Sequence, residues 1–387
     1  MKKAKVATAL LASFSIVLAA CGDDKKASSD ALTSIGAAED TLNLIVWAGY
    51  AEDGSTYPEY DWVTPFETET GCNVNAQTAA TSDEMFTLMD TGEYDGVSAS
   101  GDASVRLIDA GLVAPVNTSL IANYADLSPF LKDTIYNSKD GKNYGIPHGW
   151  GANYLMYNTD VVSPAPDSWG AVFDADSPYS GKVTAYDAPI YIADAALYLM
   201  TAQPDLGITD PYSLTQAQFD AAVDLLKIQN GIIGEYWNDY TKTQAAFEQG
   251  STVIGTTWQV IYNLASFNGA PLATVLPKEG STGWSDTWMI SSKSAHPNCM
   301  YMWMDYITSP EVQAQVAYYF GEAPANPKAC PLITDDPTHC DVFKATDSAF
   351  AEAIHFWATP RKKCLDGSGD NCVPFSEWIK AWTEIKG

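Results

Sequence analysis

The sequence comprises 387 residues, of which 48 are acidic and 21 are basic, so its formal net charge is −27 at pH 7. This acidity excludes nucleic acid as an expected partner, because nucleic-acid binding requires a basic surface. A negative field instead concentrates cations, although acidity also serves solubility alone. The length is sufficient for two lobes that each have a core.

The first twenty residues have the layout of a signal peptide: a basic segment from Lys2 to Lys5 and an apolar stretch from Ala7 to Ala20. The small residues before Cys21 resemble a bacterial lipobox, so we predict that Cys21 is lipidated and that residues 21–40 form a polar tether. A plain secretory signal is the alternative. We expect an extracytoplasmic protein, in the periplasm or at the cell surface, held at the membrane by its lipid anchor only.

Six cysteines remain after Cys21, an even number that suits disulfides in an oxidising compartment. No Cys-x-x-Cys pair occurs, which argues against zinc binding and thioredoxin-like chemistry. The predicted bridges, two between close neighbours and one across a long gap, are Cys330–Cys340, Cys364–Cys372 and Cys72–Cys299.

From residue 42 onward, short apolar runs alternate with amphipathic segments, which predicts βαβ units around a mostly parallel sheet. In the first part of the chain the predicted strands are 42–47, 72–79 and 94–100, and the predicted helices are 57–70, 82–91 and 102–111. The later predictions are a strand over 252–258 and helices over 216–229, 260–267, 298–307, 310–320 and 374–386.

Patterns that would indicate catalysis or a cofactor are absent from the sequence. The four histidines, at positions 148, 296, 339 and 355, lack metal-ligand spacing. No Gly-x-Ser-x-Gly, Walker or dinucleotide-binding glycine pattern occurs. We therefore expect no metal, no cofactor and no enzymatic activity.

A family resemblance is carried by the aromatic positions and extends along nearly the whole mature chain. The opening strand Leu44–Tyr50 resembles that of the spermidine/putrescine-binding proteins of ABC importers. Further matches, in order, are Phe66-Glu67, Thr70-Gly71, Tyr94-Asp95, Gly145-Ile146-Pro147, Trp150-Gly151, Thr256-Thr257-Trp258, Pro277-Lys278-Glu279-Gly280, Trp284-Ser285-Asp286 and Ala323-Pro324-Ala325-Asn326. Each match is weak alone, but their order and spacing together are fairly specific.

The resemblance implies an α/β fold of the two-lobed, type II periplasmic-binding-protein kind, in which each lobe is a mixed sheet flanked by helices and a hinge closes the lobes on ligand. The first implied lobe comprises 41–147 plus 285–328, and the second comprises 148–284 plus 329–387. The chain would cross between them near 147, 284 and 328.

An ammonium ligand carries hydrogen-bond donors only, so it needs carboxylates or carbonyls, while aromatic faces attract cations and hold methylene groups. By resemblance, aromatic walls come from Trp47, Tyr50, Trp258 and Trp284, Ser100 reaches the ligand, and amines pair with Asp187 and Asp286. Asp102, which stands where relatives often have an aromatic residue, adds a charge.

Two departures from the family pattern bear on the ligand. Ile190 stands where relatives have a glutamate, and Glu322 stands where they have a tyrosine. We include Glu322 among the predicted ligand-binding residues. Because carboxylates are lost and gained at different positions, the sequence predicts a cation that differs in length or shape from the usual polyamine.

These residues predict a non-catalytic, monomeric receptor that captures a small organic cation of the polyamine type, such as putrescine or spermidine, for an ABC permease. The first alternative ligand is a zwitterion such as γ-aminobutyrate or a betaine, whose carboxylate would need a donor such as Arg361. Arg106 is predicted on an outer helix. The alternative from another class is a secreted hydrolase that uses an acidic pair such as Asp187 and Asp286.

Overall fold

A computed structural model describes residues 31–387, so the predicted signal peptide and Cys21 lie outside the described residues. The strands are β1 (Thr41–Val46), β2 (Asn73–Thr78), β3 (Gly96–Ala99), β4 (Ser138–Lys139), β5 (Lys142–Asn143), β6 (Ile146–Asn158), β7 (Val183–Tyr186), β8 (Ile233–Trp237), β9 (Ile254–Trp258), β10 (Leu272–Val275), β11 (Ser281–Ile290), β12 (Ala323–Pro324) and β13 (Ile354–Phe356).

The α-helices connect these strands and cover the sheet. They are α1 (Val63–Thr70), α2 (Ser82–Thr91), α3 (Gly101–Asp109), α4 (Gly170–Phe173), α5 (Ile192–Ala202), α6 (Gln216–Asn230), α7 (Tyr240–Gln249), α8 (Gln259–Phe267), α9 (Pro297–Ile307), α10 (Pro310–Phe320), α11 (His339–Val342), α12 (Ser348–Glu352) and α13 (Phe375–Lys386). No helix in the described part of the chain is long and apolar enough to cross a membrane.

The main sheet runs in the order β2-β1-β3-β11-β6-β9-β7-β8. β2, β1 and β3 are parallel to one another, as are β9, β7 and β8. The long strands β6 and β11 lie between these two groups and pair antiparallel with each other. The sheet therefore consists of two parallel βαβ groups joined by two long strands, which agrees with the predicted alternation.

Two large hydrophobic cores lie at opposite ends of β6 and β11. Leu44, Trp288 and Trp303 belong to the first core, whereas Leu155 and Trp284 belong to the second. The chain therefore passes from one core to the other within β6 and within β11.

The third passage between the cores comes after Ala351. Phe343 and Ala351 still pack in the first core, and Trp357 is the first of the following residues in the second core. The Cys330–Cys340 disulfide and helix α11 hold this segment against α10. Side chains up to Ala351 therefore pack in the first core, and the lobe boundary at 328 stays a prediction.

The predicted tether also ends earlier than position 40. Leu32 and Ile35 pack against the first core, and the Glu39 carboxylate accepts hydrogen bonds from the backbone amides of Asn298 and Cys299. A carboxylate at these positions satisfies free amides of the first turn of α9 and opposes the positive end of the helix dipole. The packed part of the chain therefore begins before the predicted lobe boundary at 41.

Most predicted helices are confirmed to within a few residues, and the turn glycines explain where two of them end. Gly71 and Gly92 adopt φ values of 79° and 74° directly after α1 and α2, a conformation that glycine adopts without strain. The N-cap of α2 is Thr81, whose side chain accepts a hydrogen bond from the Glu84 amide. The predicted helix over 57–70 begins only at Val63, because the Val63 amide bonds back to the Glu52 carbonyl.

The three disulfides connect as predicted. Cys72 bonds to Cys299 across a separation of 227 residues, while the two short bridges, Cys330–Cys340 and Cys364–Cys372, close separations of 10 and 8 residues. The long bridge lies in the first core, where it joins the segment before β2 to α9.

Candidate functional site

A cavity of about 410 Å³ lies between the two parallel strand groups. One side is formed by residues at the ends of β1 and β2, namely Trp47, Ala48 and the segment 78–80. The other side is formed by residues 238–242, which follow β8, and by Trp258 at the end of β9. Ligands of open α/β sheets bind at such carboxyl ends of strands, and the volume is typical of a small-molecule site.

Five aromatic residues line this cavity: Trp47, Tyr240, Trp258, Trp284 and Phe320. The ring centroids of Trp258 and Trp284 are 6.4 Å apart, and those of Trp284 and Phe320 are 6.1 Å apart, in edge-to-face arrangements. Gly151 on β6 makes this possible, because a Cβ there would lie 2.8 Å from the Trp284 ring. The walls can therefore hold methylene groups and attract a cation.

Asp286, on β11 beside Trp284, is the buried carboxylate of the cavity wall. Its Oδ1 accepts a hydrogen bond from the Ser100 hydroxyl, and its Oδ2 lies 2.7 Å from the Tyr50 hydroxyl. Burial raises the pKa of Asp286 to about 7, an effect that the Ser100 and Tyr50 hydrogen bonds partly offset. An organic cation in the cavity would stabilise the ionised form.

The segment after β8 adds a second acid and a base that the sequence did not suggest. Asp239 caps α7 by accepting from the Thr241 amide at 3.0 Å, and the Lys242 ammonium lies 3.5 Å from the Asp239 carboxylate. The run Ile233–Trp237 contains the strand-forming residues Ile, Tyr and Trp, and an Asn-Asp capping pair follows it, so this pattern would have placed a strand and a helix start here.

The structure brings together five of the predicted site residues, which are Trp47, Trp258, Trp284 and Asp286 in the cavity wall and Ser100 bonded to Asp286. Behind the wall, Tyr50 lies within hydrogen-bond distance of both Asp286 and Glu322.

Asp102 and Asp187 lie apart from the cavity lining. Asp102 is buried on α3, where it accepts from the Ser82 hydroxyl at 2.8 Å. Asp187 accepts from the Lys386 ammonium at 2.6 Å and from the Trp382 indole at 3.1 Å, both on the last helix.

Arg361, on which the zwitterion alternative depended, and Asp187, on which the hydrolase alternative depended, also lie outside the cavity lining. The Arg361 guanidinium contacts Asp109 at 2.9 Å and does not line the cavity, whereas Lys242 does. Asp187 pairs with Lys386 rather than facing Asp286. Within residues 31–387, no group of three or more histidine, cysteine or acidic side chains could hold a metal ion.

Buried acids make the stability of the ligand-free protein dependent on pH. Burial raises the pKa of Asp194, which accepts from the Thr282 hydroxyl at 3.0 Å, to about 7. Because the native state then binds a proton that the unfolded state has released, this group lowers the free energy of unfolding as pH rises from about 4 to 7.

We expect Asp194→Asn to raise the free energy of unfolding by roughly 1–2 kcal/mol at pH 8 and to have no such effect at pH 4. Urea unfolding at the two pH values measures this difference. An equal effect of the substitution at both pH values would show that Asp194 does not titrate in this range.

The family of the protein follows from comparison with known proteins. Residues 61–340 match the family described as bacterial extracellular solute-binding protein, and the chain belongs to that family. Its members are solute-binding proteins, and the cavity between two cores agrees with that class.

Among individual proteins, the chain is similar to spermidine/putrescine-binding periplasmic protein 1 of Haemophilus influenzae, with 25% identity over 91% of this chain and 96% of the relative. It is also similar to a putrescine/agmatine-binding protein of Pseudomonas aeruginosa, with 26% identity over 78% of this chain and 85% of the relative.

A solved structure described as a putative spermidine/putrescine ABC transporter from Listeria monocytogenes shares the fold, with a TM-score of 0.73, 21% identity and coverage of 90% of this chain and 99% of that one. The α/β, two-lobed binding-protein fold predicted from the sequence is thereby confirmed.

Proposed function

We propose that this chain is the substrate-binding component of an ABC importer and that it captures a small organic cation of the polyamine type between its two lobes. The observation that carries the proposal is the position of Asp286, a buried carboxylate that faces a cavity walled by Trp47, Trp258 and Trp284. The names of the relatives, which bind spermidine, putrescine or agmatine, support the same ligand class.

The physical basis is differential affinity for two states of the protein. An ammonium group that pairs with Asp286 from one side and packs on Trp258 from the other would bind best when both sides of the cavity close around it. No reaction is required. A membrane permease would then recognise the closed form. Of the predicted site residues, Ser100, Tyr50 and Glu322 would position the Asp286 carboxylate. Asp102 and Asp187 would not contact the ligand, because they bond to Ser82 and Lys386 outside the cavity lining.

Calorimetric titration with putrescine, spermidine, agmatine, choline and γ-aminobutyrate tests the proposal. We expect at least one organic cation to bind with a dissociation constant in the micromolar range or below, which corresponds to about 8 kcal/mol. If none of the cations binds, the proposal is wrong.

The proposal includes export and lipid anchoring through Cys21, supported by the Leu-Ala-Ala-Cys sequence and by the extracellular family. Mass spectrometry of the mature protein from membranes would show a diacylglyceryl-modified Cys21 at its N-terminus. An unmodified mature N-terminus at another residue would contradict the anchor.

Asp239 would serve a second ammonium group of a diamine. Because its side chain is 40% exposed, the pair is worth only about 0.2–1 kcal/mol. We therefore expect Asp239→Asn, which retains an N-cap, to weaken the binding of a diamine by about 2–5-fold and to leave the affinity for a monoamine of similar length unchanged. Equal losses for both ligands, measured by calorimetry, would mean that Asp239 supports the loop rather than the ligand.

A zwitterionic ligand is the second candidate, because Lys242 supplies a cation to the cavity wall. One structural relative with 20% identity and a TM-score of 0.65 is a GABA receptor, and it covers 90% of this chain and 98% of that one. For a zwitterion we expect Lys242→Gln to weaken binding, because the ligand carboxylate loses its partner. For a polyamine we expect the same substitution to strengthen binding slightly, because it removes a like charge.

A further inference from the structure

The side chains of Tyr50, Asp286 and Glu322 form a hydrogen-bonded group that extends from the cavity wall into the first core. The Tyr50 hydroxyl lies 2.7 Å from Asp286 Oδ2 and 2.8 Å from Glu322 Oε2. Tyr50, Asp286 and Glu322 expose no more than 3% of their surface. Both oxygen–oxygen distances are those of hydrogen bonds.

The number of protons in this group follows from its geometry. A tyrosine hydroxyl donates one proton, and an ionised carboxylate only accepts. If Asp286 and Glu322 were both ionised, one of the two short contacts to Tyr50 would lack a proton and would place two oxygen lone pairs against each other. At least one of the two carboxyl groups therefore carries a proton.

Glu322 is the better position for that proton. Asp286 is stabilised as an anion by the Ser100 hydroxyl and faces the cavity, where a cation can reach it. The second oxygen of Glu322, Oε1, is buried without a hydrogen-bond partner, since His148 Nε2 is 3.6 Å away. The free-energy cost of a buried oxygen without a hydrogen-bond partner is far larger for an ionised carboxylate than for a neutral acid.

The surrounding groups favour the same assignment. Burial lowers the pKa of His148, on β6, to about 3, so this imidazole is neutral. His339, on α11, contacts the Glu322 backbone carbonyl rather than the carboxyl group. The charge of Asp102, on α3, raises the pKa of Asp286, but the Ser100 and Tyr50 hydrogen bonds lower it by more. Burial first, and then the charge of Asp286, raise the pKa of Glu322 well above its usual value.

The backbone of β6 is shaped to enclose this carboxyl group. A Cβ at Gly149 would lie 2.2 Å from the Glu322 carboxyl carbon, closer than packed side chains approach. β12 pairs with β6 at the same level through Ala323 and Pro324. Only glycine at 149 leaves room for Glu322 beside Tyr50.

We propose that Glu322 is held as a neutral carboxylic acid that donates a hydrogen bond to the Tyr50 hydroxyl oxygen. Asp286 is then the single anionic carboxylate at this end of the cavity, so this end accommodates one cationic group of the ligand. Glu322 thereby determines specificity without touching the ligand. The assignment of the proton is independent of any ligand, whereas its consequence for ligand charge rests on the proposed function.

Infrared spectroscopy of the ligand-free protein at about pH 8.5 tests whether Glu322 carries a proton. We expect the carbonyl stretch of a protonated carboxylic acid in the wild-type protein, and its loss in Glu322→Gln. Glu352→Gln, which alters an exposed glutamate on α12, is the matched control and retains the band. Absence of the band from the wild type, or its persistence in Glu322→Gln, overturns the proposal.

A second measurement needs no variant at all. In wild-type protein with carbon-13-labelled glutamate side chains, we expect one carboxyl resonance that does not titrate with the others between about pH 3 and 8. If every buried glutamate resonance titrates in that range, Glu322 is ionised and the proposal is wrong.

The charge consequence is tested by counting the protons released when putrescine binds. Calorimetry in buffers of different ionisation enthalpy should give less than one proton per ligand at pH 7, because Asp286, whose pKa burial raises to about 7, is the only carboxyl group that gives up its proton. Release of more than one proton would mean that Glu322 ionises as well and would overturn the one-charge assignment. Failure of every cation to bind would refute the proposed function but leave the infrared result standing.

Discussion

Asp286→Asn is expected to lower the affinity for a polyamine by at least about 100-fold, which corresponds to about 2.7 kcal/mol. Removing one partner of a buried, hydrogen-bonded charge pair generally loses 2–5 kcal/mol, and Asp286 is the buried acid in the cavity wall. The change is nearly isosteric, and an asparagine oxygen still accepts from the Ser100 hydroxyl.

The control for this variant is Asp194→Asn, which neutralises another fully buried acid with a pKa raised to about 7 but which does not line the cavity. Both substitutions should stabilise the ligand-free protein at pH 8, because both remove a desolvated charge. Only Asp286→Asn should lower the affinity for the polyamine. Comparable losses of affinity in both variants would show that the effect comes from the fold. Asp187→Asn, titrated in parallel, tests the predicted contact of that residue with an amine.

Loss of the Cys72–Cys299 disulfide is expected to lower the free energy of unfolding by about 5 kcal/mol, because loop-closure entropy grows with the length of the loop. The separation is 227 residues. Closing a loop of that length removes much of the conformational freedom of the unfolded chain, and the expected loss is a large fraction of the stability of a typical protein. Urea unfolding of the double alanine variant measures it.

The Cys364–Cys372 bridge offers a matched control, because its two cysteines are also buried but are only 8 residues apart. The same entropy relation gives about 2.5 kcal/mol for that loop. We therefore expect the double alanine variant of the long bridge to lose roughly twice as much stability. Equal losses would mean that local packing around the sulfurs, and not loop closure, determines the contribution of each bridge.

Local sequence signals were sufficient for most of the helices and for several of the strands. Residues such as Gly71, Gly92 and Pro310 act within one turn of the chain, so their effect can be predicted from neighbours alone. The long strands β6 and β11 could not be predicted in this way. They are buried on both faces, and they therefore lack the alternation of apolar and polar residues that indicates a strand.

The candidate site could be predicted only where the family resemblance reached it. Trp258, Trp284 and Asp286 are separated in sequence by fewer than about thirty residues, but nothing in their local pattern brings them to one cavity with Trp47; sheet pairing does. Asp187 meets Lys386 across 199 residues, a contact that no local pattern indicates. Lys242 was missed because strand β8, which positions it, was not predicted.

The structure also changes the interpretation of Glu322, which stands where relatives have a tyrosine. From the sequence, a glutamate in place of a tyrosine indicated an added negative charge. In the fold, Glu322 is enclosed by Gly149 and Tyr50 and is separated from the cavity by Asp286. Burial rather than residue type therefore decides how much charge this position contributes.

The most direct test of the account is a structure of the protein with a bound polyamine. We predict an ammonium nitrogen within about 4 Å of the Asp286 carboxylate, and methylene groups against Trp47, Trp258 and Trp284. A ligand bound outside this cavity, or one that places an anionic group beside Asp286, would contradict the account.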